Sequence, residues 1–380
     1  MSQKDSNNTI EALHGGDVYR NEVRLDFSVN LDPLPMPETV REAMLKGIDE
    51  IHQYPDPVQQ ELNAKIGVFE GVSPERIICG NGASELLMAA VHAVKPKKAL
   101  IAAPCYAGYA VALKAEDAEI KEYFLDDGKE FAVDEGFIGC IKDDTDMVFI
   151  ADPNNPNGKL IDPKLKSEIS RKCRECGAVL VIDECFYPLT EAGAVRPDHD
   201  ARDEGAHQGA RDGSEDHGAR AAQESYDDGA LHLRAFTKTF AIPGVRLGYM
   251  ISTNDELMDK IRKHLPEWNV SRIAERTGEA AAEVLAETDY LERSVKLIAE
   301  ERAFLSDSLT GLGIRVYPSD TNYILIRSGE DLYDRLLEKG ILIRRCANFS
   351  GLDDTYFRIA VRQHPDNEEL VRAISEMLMK

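Results

Sequence analysis

Phe236-Thr237-Lys238-Thr239-Phe240-Ala241-Ile242-Pro243-Gly244-Val245-Arg246-Leu247-Gly248 joins two runs that read as strands, Leu231 to Phe236 and Leu247 to Ser252. It sets a lysine two residues after the first run and, eight residues on, an arginine in a Gly-x-Arg-x-Gly setting. Upstream, short β-branched runs alternate with segments of helical period, the pattern of strands and crossover helices in a doubly wound α/β sheet. Ala99 to Ala103, Ile120 to Phe124, Met147 to Ala151 and Val179 to Asp183 read as strands; Ala83 to Val94, Tyr106 to Ala115 and Pro163 to Glu175 read as helices. After Glu256 the texture changes to long helices, Glu275 to Leu285 and Tyr290 to Leu309. Shorter strands follow at Tyr323 to Arg327, Leu342 to Arg344 and Tyr356 to Val361. The expected division is an N-terminal arm with part of a small domain over residues 1–50, a large domain over 51–265 and the rest of the small domain over 266–380.

The chain has 380 residues, 43% apolar and 30% charged, enough for two cores. Its net charge of −23 disfavours nucleic acid and anionic membranes, which need basic partners. No apolar run approaches the ~20 residues that span a bilayer. The first nine residues are polar, so a cytoplasmic location is expected. Seven cysteines, an odd number, fit a reduced compartment. Cys173-x-x-Cys176 lacks a second pair and is read as structural, and Cys79, Cys105, Cys140, Cys185 and Cys346 as small buried residues. No metal site is expected.

One stretch breaks the pattern. From Glu191 to Ala230 there are 11 acidic and four basic residues, and no Leu, Ile, Val, Met or Phe between Val195 and Tyr226. Such a segment cannot bury enough apolar surface to offset its ordering entropy, so 191–230 is expected to be a disordered acidic insertion.

The segment around Lys238 resembles the Schiff-base lysine motif of class I/II aminotransferases. The resemblance implies an aspartate aminotransferase-like α/β fold, with a mostly parallel central sheet between helices and a smaller α+β C-terminal domain. It also implies pyridoxal 5'-phosphate as cofactor. That molecule needs an amine for its aldehyde, a cationic cradle for its phosphate, an anion for its pyridine nitrogen and a donor for its ring oxygen. Lys238 is the amine, and would also shuttle the substrate proton. Gly80-Asn81-Gly82-Ala83-Ser84-Glu85 precedes a helical pattern, so the N–H groups of Ala83 and Ser84 can face a dianion, joined by Ser84, Thr237 and Arg246. The competing reading of this loop is a dinucleotide site, but Glu85 replaces the third glycine of Gly-x-Gly-x-x-Gly. Asp183, at the end of its strand, is placed to keep the pyridine nitrogen protonated. Asn155, in Asp152-Pro153-Asn154-Asn155-Pro156-Asn157-Gly158, matches the donor to the ring oxygen, and Tyr106 the aromatic ring stacked on the cofactor. Tyr54 matches the residue that reaches the phosphate of a neighbouring subunit, which implies a homodimer with shared sites.

For the substrate, a small-molecule amino acid or amine, Arg358 matches the arginine that binds the α-carboxylate, and Arg344 one used by relatives with phosphorylated substrates. The likeness lies nearest the branch of histidinol-phosphate aminotransferase and L-threonine-O-3-phosphate decarboxylase, the latter serving cobalamin side-chain synthesis. His14 and Asn30 are the further substrate-binding candidates, both in stretches nearer the decarboxylase. Phe186 stands where many aminotransferases carry tyrosine. The outcome depends on which Cα bond stands perpendicular to the cofactor ring; transamination is the leading expectation and decarboxylation the alternative.

Overall fold

The structure is a computed structural model that describes residues 17–194, 226 and 229–379. Its centre is a seven-stranded sheet in the order β2-β8-β7-β6-β5-β3-β4. The strands are β2 (Ile77–Gly80), β3 (Lys98–Ala103), β4 (Glu119–Phe124), β5 (Met147–Ala151), β6 (Val179–Asp183), β7 (Leu231–Ala235) and β8 (Gly248–Ile251). Only β8 runs antiparallel to its neighbours; the other pairs are parallel.

Every residue of β5 is buried, because alternate side chains enter two different cores. Met147 and Phe149 pack with Leu86, Leu87 and Ala90 of the helix Ala83–Val94. Val148 and Ile150 pack with Leu165, Ile169 and Cys173 of the helix Pro163–Cys176. This two-sided burial explains why the central strands read as continuous apolar runs. The Pro163–Cys176 helix starts where the Asp162 carboxylate accepts from Lys164 N at 2.9 Å and Leu165 N at 3.1 Å. Pro163 stands in its first turn, and the helix stops at Gly177, φ +72°.

A four-stranded antiparallel sheet follows in the chain, in the order β12-β13-β10-β9, made of β9 (Arg315–Val316), β10 (Tyr323–Arg327), β12 (Arg344–Arg345) and β13 (Tyr356–Ala360). Its core joins Ile324, Ile326, Phe357 and Ile359 to Leu305, Leu309, Leu370 and Ile374 of the helices Tyr290–Gly311 and His364–Leu378. A third, two-stranded parallel sheet pairs β1 (Leu25–Asp26) with β11 (Ile341–Leu342). The run Leu342 to Arg344, read from sequence as one strand, is therefore divided between two sheets. The N-terminal segment continues past β1 into the centre, where Asp32 N donates to Lys238 O at 3.0 Å.

Two expectations need correction. Most of the acidic stretch 191–230 lies outside the described residues, but its edges are built into the fold. Glu191–Ala194 is a helical turn, and Tyr226 is buried, donating to Glu70 and accepting from Arg234 Nη2 at 3.0 Å. Tyr226 therefore belongs to the core. Among the cysteines expected to be buried, Cys140 is only partly so, while Cys79, Cys105, Cys185 and Cys346 are buried. Among the described residues no helix is long and apolar enough to cross a membrane.

Candidate active site

The parallel strands end along one edge, the position at which open α/β sheets bind ligands. There a cavity of about 720 Å³ is lined by Lys238, Asp183, Asn155, Tyr106, Ala83, Ser84, Thr237, Arg246, Asn30, Arg344 and Arg358. Tyr54 is not among its lining residues; it is 79% exposed and packs on Trp268, ring centroids 4.7 Å apart. His14 lies outside the described residues.

Lys238 sits in the single turn Phe236–Thr239 that continues β7. Burial lowers the pKa of its amine, and Arg358 and Arg246 push the same way. Its ammonium lies 5.7 Å from the centre of the Phe186 ring. On the neighbouring strand Asp183 pairs in register with Leu233. Its carboxylate is held from two sides: Tyr109 Oη donates to Oδ2 at 2.7 Å and Cys185 N donates to Oδ1 at 3.1 Å.

The loop after β5 is closed by buried amides. Asn154 Nδ2 donates to Pro104 O at 3.1 Å and to Asn157 Oδ1 at 2.8 Å. Asn155 Oδ1 accepts from Arg358 Nη1 at 2.5 Å, which leaves its Nδ2 donor for the cavity. Tyr106 meets Tyr109 edge-on, centroids 5.5 Å apart.

At the opposite end, Gly82 has φ +77°, and a Cβ there would come within 2.4 Å of Arg246 Nη2. The left-handed backbone calls for glycine, and its bare Cα leaves room for the guanidinium. Gly248 is required as well, since its Cβ would lie 2.6 Å from Ala83 N. These contacts bring the Arg246 guanidinium to the N-terminus of the 12-residue helix Ala83–Val94, where unpaired N–H groups and the helix dipole favour an anion.

Arg344 and Arg358 are direct cross-strand partners on β12 and β13. Both are buried. Arg358 donates to Asn155 and to Ser28 O at 2.8 Å; Arg344 donates to Arg345 O at 3.1 Å and Asn348 Oδ1 at 3.0 Å. Neither pairs with a carboxylate among the described residues. Burial pulls the Arg344 pKa down to about 10, with Arg358 adding to the effect. Asn30 is 2% exposed, and neither its Oδ1 nor its Nδ2 has a partner among the described residues. Two like charges opposite one another and an unmet amide are costly in a finished interior. They suit a cavity whose ligand is anionic.

The family whose description reads aminotransferase class I and II matches residues 22–374. The chain belongs to it. Threonine-phosphate decarboxylase of Salmonella typhimurium is 31% identical, with 97% of each chain covered. Histidinol-phosphate aminotransferase of Methanocaldococcus jannaschii is 27% identical, covering 90% of this chain and 86% of that one. The solved histidinol-phosphate aminotransferase of Clostridium acetobutylicum superposes with a TM-score of 0.79 at 32% identity, covering 93% of this chain and 99% of that one.

For a class I and II aminotransferase, the structure adds residues that the sequence reading did not single out. Tyr109 touches Asp183, and its sequence signal was its place one helical turn after Tyr106. Asn348 orients Arg344. Arg20, ion-paired with Asp17, lines the cavity as well, beside the exposed Tyr19.

Proposed function

We propose that this chain is a pyridoxal-phosphate-dependent aminotransferase acting on an amino acid or amine that carries a second, phosphate-type anion. The carrying observation is the buried cross-strand pair Arg344 and Arg358, two cations without a carboxylate partner among the described residues.

The residues present fit the cofactor. Lys238 would hold its aldehyde and Asp183 its ring nitrogen, while Asn155 Nδ2 would donate to its ring oxygen and Tyr106 lie on its face. Ala83, Ser84, Thr237 and Arg246 would take its phosphate. When bound, the cofactor supplies a carbonyl for the substrate amine and a ring that accepts electrons from Cα. The protein does the rest. Burial keeps the Lys238 amine easier to deprotonate than an exposed lysine, as a base working on the Cα proton requires. Tyr109 and Cys185 N hold the Asp183 carboxylate in one orientation. Arg358 fixes the substrate carboxylate and Arg344 the second anion, with the buried amide of Asn30 as a further donor and acceptor in the cavity lining. Exposed Tyr54 is left to serve the phosphate of a second copy, in a homodimer.

Decarboxylation of L-threonine-O-3-phosphate is the second reading, favoured by Phe186 beside Lys238 and by the 31% identity to the Salmonella decarboxylase. One experiment separates the two. The purified enzyme is given phosphothreonine in one arm and phosphorylated amino donors with 2-oxoglutarate in the other. Glutamate supports transamination, carbon dioxide supports decarboxylation, and neither, in a protein that also binds no cofactor, removes both.

A further inference from the structure

Beneath the cavity, on the other side of the sheet, the same three strand ends carry a second set of charges. Asp152 follows β5, Glu184 follows Asp183, and His232 and Arg234 alternate with the inward residues of β7. Asp152 and Glu184 are 1% and 3% exposed. The helix Pro163–Cys176 covers them and supplies Lys166, whose Nζ lies 2.7 Å from Asp152 Oδ2 and 3.8 Å from Glu184 Oε1. Glu184 Oε2 in turn lies 3.1 Å from His232 Nδ1 and 3.2 Å from Arg234 Nη2. The Tyr187 ring is flanked by both cations, with Lys166 at 5.4 Å and Arg234 at 4.9 Å from its centre.

We propose that Lys166 is a positioning residue for the reaction: by clamping Asp152 and Glu184 it fixes the loop that carries Asn155 and the strand end that carries Asp183. The linkage runs through the backbone. Asp152 Oδ1 accepts from Ile161 N at 2.8 Å, closing the 152–161 loop, and Asp152 N donates to Asp183 O at 2.9 Å. Without the ammonium, two buried carboxylates would face each other with Arg234 and His232 bound to only one of them, and repulsion would separate the strand ends. Burial would raise the Glu184 pKa, yet Arg234, His232 and Lys166 hold it well below the ordinary carboxylate value, so that carboxylate is charged whenever the site works.

The inference rests on the pyridoxal-phosphate reading, and the test keeps the two apart. In the holoenzyme, Lys166→Met is expected to lower kcat by about tenfold or more, with KM changed by less than about threefold, because displacement rather than binding is affected. The pH at which the visible band of the bound cofactor changes should also shift, a readout that loss of stability alone does not move. Lys166→Arg should restore both. Should Lys166→Met not accumulate as folded protein, Asp152→Asn removes the clamped charge while keeping an acceptor for Ile161 N, and is expected to give the same losses. Wild-type kcat and an unmoved band in the folded variant overturn the proposal. A wild-type protein with no visible band overturns the pyridoxal-phosphate reading instead.

Discussion

Tyr109 hands its hydroxyl hydrogen to Asp183 Oδ2 at 2.7 Å while its ring stacks on Phe149, centroids 5.4 Å apart, and meets Tyr106 edge-on. One buried side chain thus couples the residue proposed to lie on the cofactor face to the residue proposed to hold its ring nitrogen. Burial, with Asp183 adding to it, raises the Tyr109 pKa, so it stays a donor. Tyr109→Phe keeps the stacking and leaves a buried carboxylate oxygen unmet, at a cost of about 1–3 kcal/mol. Urea denaturation should show that loss, and kcat should fall by roughly tenfold as the carboxylate swings about its remaining bond to Cys185 N. An unchanged kcat would mean that Cys185 N alone sets the orientation.

Lys238→Ala should abolish turnover while leaving a folded protein, since the amine contributes chemistry and, among the described residues, no salt bridge to the fold. The depressed pKa fixes a second expectation for the cofactor-free enzyme. Between its folded and unfolded pKa values the unfolded chain binds the extra proton, so stability rises with pH in the window below the ordinary lysine value. Denaturation midpoints measured across that window should rise in the wild type and be flatter in Lys238→Ala.

Asp32 gives the opposite sign. Burial lifts its pKa to about 6, against hydrogen bonds from Ser294 Oγ at 2.6 Å and Leu34 N at 2.9 Å. The folded state therefore binds the extra proton between the unfolded value and pH 6, and stability contributed by the protonated form is lost as pH rises through that range. Asp32→Asn should be more stable than the wild type above pH 6, by roughly 3 kcal/mol, and should lose the difference near pH 4. Equal stability at pH 8 would show that Ser294 and Leu34 fully compensate the buried charge.

The parts of the site that were legible in the sequence are those fixed by local chain order. Asp183 stands at the end of an apolar run, which two-sided burial makes visible, and Lys238 just beyond a strand in which Leu231, Leu233 and Ala235 alternate with His232 and Arg234. The cross-strand meeting of Arg344 and Arg358 was not legible, because their register depends on how residues 346–355 turn back, and on the chain leaving one sheet at Leu342 to join another at Arg344. Tyr226 was hidden for a related reason. Its neighbours in sequence are acidic and polar, and what makes it a core residue lies elsewhere in the chain: Glu70 and Arg234, 156 and 8 residues away, and the apolar cluster that its ring joins. The role of Tyr109 is not legible either: its place one turn after Tyr106 points it to the same side of the helix, but says nothing of which carboxylate it meets.

Arg344 provides the sharpest test of substrate class. Its guanidinium is aimed by Asn348 and held over the Phe349 ring at 5.2 Å, and it repels Arg358 across the strand pair in the unliganded site. An anion between them replaces repulsion with charge-assisted hydrogen bonds worth about 1.5–3 kcal/mol each. Arg344→Leu should therefore raise KM for a phosphorylated amino substrate by roughly 10- to 100-fold, the factor those energies correspond to. KM for an unphosphorylated amino acid, which engages Arg358 alone, should move by less than about threefold. Removing one of two opposed buried cations also relieves a cost, so the unliganded variant should be as stable as the wild type or more so. Steady-state kinetics with a phosphorylated and an unphosphorylated substrate decide the matter: equal increases in KM for both would mean that Arg344 only supports Arg358 and does not read the second anion.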